Sequence, residues 1–148
     1  MKTKHIGFIL FITTLFILSS CKKEPINRDI EGFWQLTEFT TTSDEKVHPC
    51  ERIYYSIQLQ IAELSEKGGS LGLPTLKGLY RYDEALNRIT INQLYYQSGG
   101  TGDFSTPDTD MLNGYGLNSA NTEFEVIKAD GKNLVIRSDY ATLTLRRF

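Results

Sequence analysis

Two cysteines, four prolines, two histidines and a single tryptophan are all that 148 residues contain of these types. Each scarcity excludes something. Two thiols rule out a domain held together by several disulfides, so a core must do that work; a chain of this length can bury one. So few His and Cys leave no set of the kind that holds zinc. Neither charge dominates, with 16 Lys and Arg against 18 Asp and Glu and a net charge of −2. A phosphate backbone calls for clustered cations, and the nearest thing to a cluster is Arg146-Arg147, which suits the tip of an exposed strand. No nucleic-acid partner is expected. No long helical periodicity is present either, which sets aside helix bundles and coiled coils.

The amino end is organised differently from the rest. Met1 to His5 is basic, and Ile6 to Leu18 is apolar apart from Gly7, Thr13 and Thr14. That run falls short of the roughly 20 apolar residues a permanent helical span requires, and suits the middle of an export signal. Leu18-Ser19-Ser20-Cys21 follows, and resembles the lipobox of bacterial lipoproteins. The resemblance implies cleavage of residues 1–20, a lipid thioether on Cys21, a polar tether over residues 21–29 and a domain over 30–148. Lys22, where Asp would retain a lipoprotein at the inner membrane, points to the outer membrane of the cell envelope. Whether the domain faces the periplasm or the exterior is open. The partner implied at this end is a membrane, reached through lipid. A Cys21–Cys50 disulfide is the alternative use of the two thiols.

From Asp29 onward the apolar rhythm is near two, the period of strands. Ile53, Tyr55, Ile57, Leu59 and Ile61 alternate with Tyr54, Ser56, Gln58 and Gln60, so the segment offers one dry and one wet face. Glu31–Thr41, Leu76–Asp83, Asn87–Tyr96, Glu123–Lys128, Leu134–Arg137 and Ala141–Arg147 repeat the theme. This gives seven strands, with Tyr115–Ser119 a candidate eighth. Asp83–Asn87 suits a hairpin connection, and Asp130-Gly131 suits a type I′ turn. Glu66–Gly72 is flexible by composition. Ser98–Asn113 is a long loop, with room for a helical turn opened by Pro107-Asp108. The expected fold is all-β, an antiparallel up-and-down barrel of seven or eight strands, with a β-sandwich as the alternative.

Gly32-Phe33-Trp34 and Ser138-Asp139-Tyr140 together resemble the G-x-W and T-D-Y motifs of lipocalins. The layout as a whole is similar to lipocalin-like lipoproteins of Gram-negative gut bacteria. The resemblance implies a barrel end at which Gly32, Trp34, Asp139 and Tyr140 meet a late cation, Arg146 or its neighbour Arg147. It also implies a small ligand inside the barrel. The chain is short for a lipocalin, so that cavity is expected to be small or filled.

Eight tyrosines supply the best candidates for ligand contact, because Tyr joins a broad apolar face to a hydroxyl. Tyr55, Tyr80, Tyr82 and Tyr95 are the residues placed in such a pocket. Tyr54, next to Tyr55, must face the other way. His48-Pro49-Cys50 lacks a third group to activate a thiolate and is expected to be a quiet thiol. Asp103, Asp108 and Asp110 form an acidic loop without the spacing of a calcium loop. Gly99–Gly102 does not run from a strand into a helix, which sets aside a phosphate cradle. No catalytic residue, metal or cofactor is therefore expected. The function expected is non-catalytic binding of a small, partly apolar ligand by a membrane-anchored barrel, gated by the Ser98–Asn113 loop. The alternative is an interaction, assembly or inhibitor protein whose filled barrel works through its surface.

Overall fold

The structure, a computed structural model, describes residues 27–98 and 102–148. Cys21, the signal segment and most of the tether lie outside the described residues, as do Gly99, Gly100 and Thr101. The strands are β1 (Gly32–Thr41), β2 (Val47–Gln58), β3 (Ile61–Glu66), β4 (Leu76–Asp83), β5 (Arg88–Ser98), β6 (Asp103–Ser105), β7 (Thr122–Ala129), β8 (Asn133–Arg137) and β9 (Ala141–Arg147), with one short helix, α1 (Thr109–Gly114). Each strand pairs antiparallel with its neighbour in the sheet, and β4 pairs with β5 to close the ring. The result is an eight-stranded up-and-down barrel, with β6 a short extension folded onto β5. Closure leaves the eight barrel strands no free edge to template aggregation.

Alternation builds the interior. Trp34, Leu36, Ile53, Tyr55, Ile57, Leu64, Leu76, Ile89, Ile91, Phe124, Leu134, Ile136, Leu143 and Leu145 are essentially inaccessible to solvent. Each such side chain contributes roughly 1.5–3 kcal/mol by leaving water, so the dry face of the sheet dictates its curl. Where the phase must change, the strands bulge. In β5, Gln93 takes a positive φ of 55°, and the register against β4 shifts between Leu79↔Asn92 and Lys77↔Tyr95. Ile89 and Ile91 point inward before the bulge, Leu94 after it.

Two expectations about boundaries fail. The stretch from Ile53 to Ile61 is not one strand: the chain turns back at Leu59-Gln60, both at positive φ (49° and 70°), and Gln58 pairs with Ile61 across a two-residue hairpin. That turn creates β3, the eighth barrel strand. Tyr115–Ser119 is not a strand. The turn at Asp130-Gly131 also differs from type I′, because only Gly131 has positive φ (78°). It is a wider connection in which the Asp130 carboxylate accepts from the backbone N–H groups of Lys132 (2.9 Å) and Asn133 (2.6 Å). These bonds to the charged form hold its pKa well below the usual carboxylate range.

The two ends of the barrel are closed by different devices. At one, which we call the plug end, Asp108 caps α1 by accepting from Met111 N at 2.9 Å; Leu112 of the helix and Tyr115 and Leu117 just after it fill the mouth. The Tyr55 hydroxyl, rising from the barrel floor, donates to Tyr115 O at 2.5 Å, while the Tyr115 hydroxyl donates to Pro74 O at 2.7 Å. The β3–β4 loop is less free than its glycines imply. The Glu66 carboxylate accepts from Leu71 N and Leu73 N at 2.8 and 2.9 Å, which also lowers its pKa.

Candidate functional site at the strapped end

At the opposite end the chain crosses the barrel as a short strap, Asn27 to Glu31, before entering β1. Asn27 folds the strap on itself, its side chain accepting from Asp29 N and its carbonyl from Glu31 N. Ile30 and Glu31 are buried, and the Ile30 carbonyl accepts from Trp34 Nε1 at 2.7 Å. Arg147 clamps the assembly. Its guanidinium lies 4.4 Å from the centre of the Trp34 ring. It donates to the carbonyls of Arg28 (2.7 Å) and Glu31 (3.3 Å) and to that of Gly131. Glycine at position 32 leaves room for the clamp, since a Cβ there would displace that guanidinium.

The expected membership of this barrel end is corrected in two respects. Arg146 does not face Trp34: it is exposed and donates to Gln35 Oε1 at 2.8 Å, while Arg147 covers the indole. Asp139 and Tyr140 are at the plug end. They precede β9, whose last residue Arg147 pairs with Trp34 and whose first, Ala141, pairs with Thr41. Seven residues of strand separate the two positions, about 23 Å of extended chain. What meets Arg147 at this end is the β7–β8 turn, whose Gly131 and Lys132 carbonyls accept from its side chain and backbone N–H.

Between the strap and the wall of β3–β5 lies a pocket of about 400 Å³, lined by Glu31, Gln60, Leu79, Tyr80, Tyr82 and Asn92 among others. Its volume falls in the usual range of small-molecule sites. Tyr80 is only 5% exposed, and its hydroxyl has no hydrogen-bond partner among the described residues. Burial, then the neighbouring Glu31 and Tyr82, push that phenol further above its ordinary range, so it stays a neutral donor at physiological pH. Tyr82 is half-buried and donates to Asn87 Oδ1 at 3.0 Å. A second depression, about 500 Å³, lies on the outside around β7 and the β8–β9 turn. Four of its charged side chains pair with one another, Arg88 with Glu123 and Arg137 with Glu125.

The four candidate tyrosines are therefore divided. Tyr80 and Tyr82 share the strap-end pocket. Tyr55 is fully buried in the interior and committed to Tyr115. Tyr95 points outward, 38% exposed, with its ring edge-on to Phe104 at 5.1 Å. The Gln93 bulge is the reason: one extra residue reverses the facing of everything beyond it. Glu31, Gln60 and Leu79 are site residues that the strand rhythm alone did not mark.

Elsewhere the chemistry is quiet. Burial, with a contribution from the Glu38 charge, pushes the Cys50 thiol up to about 11, so the nucleophilic thiolate is scarce. Its Sγ donates to His48 O, and the His48 ring is stacked on Phe39. Among the described residues no group of three His, Cys, Asp or Glu could hold a metal. Asp108 is engaged as a helix cap, while Asp103 and Asp110 lie apart on β6 and in the first turn of α1.

A meander barrel closed around an apolar interior, with a first-strand tryptophan clamped by an arginine of the last strand, has the form of a lipocalin-class protein. The chain belongs to the lipocalin-like domain family, whose model matches residues 16–148. It is similar in fold to a lipocalin-like protein from Bacteroides uniformis, with a TM-score of 0.61 and 20% identity over 81% of this chain and 99% of that one. It is also similar to an uncharacterized protein from Bacteroides eggerthii, with a TM-score of 0.56 and 20% identity over 80% and 98% of the two chains. No curated protein matches it.

Proposed function

We propose that this protein is a lipid-anchored, non-catalytic binding module of the bacterial cell envelope, held at the outer membrane through Cys21. It takes up a small, partly apolar molecule at the strap end of its barrel. The lipocalin-like fold supports a ligand-binding role, and the observation that carries the location is Tyr80. A phenol buried this deeply without a partner costs about 1–3 kcal/mol, and that cost is relieved by a ligand acceptor in the adjoining pocket. Leu79 and the Tyr82 ring supply apolar contact, Gln60 and Asn92 polar ends.

Tyr80→Phe is the test. Removing the orphan hydroxyl is expected to leave the ligand-free protein as stable or up to about 1 kcal/mol more stable, as read by chemical denaturation. The same change is expected to lose small molecules that co-purify with the native protein, as read by mass spectrometry of extracts. Equal retention by both proteins refutes the site.

The filled interior favours a second reading, an interaction or inhibitor protein acting through its outer surface. With Trp34, Tyr55, Tyr115 and Phe124 packed into the barrel, a ligand there would have to displace side chains. On that reading the strap-end pocket receives a partner's side chain instead of a free molecule.

A further inference from the structure

Two-residue hairpins of the β2–β3 type want Asn or Gly, because both central residues sit at positive φ. This one has Leu59 and Gln60, and the leucine is 42% exposed. A strained backbone that displays an apolar side chain to water gains nothing for the fold, and such breaches of local rules mark function. The tip does not stand alone. Ile61 and Leu79, paired across β3 and β4, are exposed on the same end, as are Leu86 (63%) at the β4–β5 tip, Ile127 on β7 and the terminal Phe148 (71%). These make up most of the exposed large apolar residues among those described. Phe148 packs edge-on against Phe33 and Tyr54, so the rim continues onto β1 and β2.

The chain enters the barrel at this end as well. From Cys21 to Asn27 it reaches at most about 20 Å, less than the roughly 33 Å length of the ten-residue β1. We infer that the strap end is a membrane-docking face, on which Leu59, Leu86 and Phe148 enter the lipid surface beneath the anchored domain. The inference rests on the anchor at Cys21, since the short tether is what selects lipid as the occupant. Both signs of charge occur in the segments at this end: Asp83, Glu84 and Asp130, and Arg28, Arg81 and Lys132. Docking is thus driven by apolar contact and is insensitive to salt. The pocket beneath the strap then opens beside the lipid surface.

The experiment holds the mature chain, as Cys21→Ser, on phosphatidylethanolamine–phosphatidylglycerol vesicles by an amino-terminal hexahistidine extension and a nickel-chelating lipid. The vesicles also contain brominated acyl chains, which quench tryptophan on contact. Buried Trp34 gives a constant background, while Leu86→Trp and Leu71→Trp report the strap end and the β3–β4 loop at the plug end. Severalfold quenching of the Leu86→Trp protein, unchanged at high salt and lost on adding Leu59→Asp, is the expected result, with Leu71→Trp unquenched. Quenching that is equal at both ends, absent at Leu86→Trp, or indifferent to Leu59→Asp overturns the docking face. The acyl mass on Cys21 of the native protein is measured separately. Its absence would remove the anchor, whereas the quenching result addresses the face, so the two failures are distinct.

Discussion

Arg147 and Arg146 are adjacent, chemically identical and differently placed, which makes them a controlled comparison at the scale of a residue. The Arg147 guanidinium is attracted to the negative face of the Trp34 ring and satisfies three carbonyls that the strap and the β7–β8 turn leave without strand partners. A cation–π contact at a partly buried site is worth about 0.5–2 kcal/mol, and losing charged hydrogen bonds adds to it. Arg147→Ala is therefore expected to destabilise the domain by about 2–4 kcal/mol in urea titrations. Arg146→Ala, which breaks only an exposed bond to Gln35, should cost less than about 0.5 kcal/mol. Equal losses would show that the clamp is not selective. The sequence held half of this result. Gly32-Phe33-Trp34 located the barrel end, but Ser138-Asp139-Tyr140 could not share it with an arginine at the far end of the same strand. Strand length alone contains that contradiction.

At the scale of the element, alternation was legible wherever the strand was regular. Ile89 and Ile91 point inward as their spacing predicts, and so do Ile53, Tyr55 and Ile57. It failed where one residue departs from the strand backbone without turn chemistry to announce it. Gln93 reverses Tyr95, and Leu59-Gln60 divides one expected strand into two. Nothing in the side chains Leu and Gln encodes positive φ, which arises from closing the barrel with an eighth strand. The strain at that hairpin is measurable. A non-glycine residue in the left-handed region gives up roughly 1–2 kcal/mol, so Leu59→Asn with Gln60→Gly should raise stability by about that amount in thermal or urea unfolding. The more stable protein should also lose vesicle docking. A variant that gains stability and keeps docking would leave Leu59 without a role.

For the whole molecule, the governing fact is that an eight-stranded ring is just wide enough for its own side chains to fill. Tyr115 is the largest piece of this packing that comes from outside the sheet, set into the mouth by α1 and joined to Tyr55 and Pro74. No strand pattern around Tyr115–Ser119 could reveal that role, because a plug is defined by what it closes. Tyr115→Ala removes the ring but keeps the backbone carbonyl that receives the Tyr55 hydroxyl. Truncating a buried aromatic costs about 3–5 kcal/mol, within the stability of an ordinary domain, so the variant should fold. It would then contain a void in the mouth of the barrel, where Leu112 and Leu117 are also buried, and dry apolar voids bind benzene-sized probes. The expected outcome is a benzene-dependent rise in Tm for Tyr115→Ala that the native chain does not show. A comparable rise in the native chain would mean that its interior already has room for a guest, and would move the ligand site from the strap to the barrel.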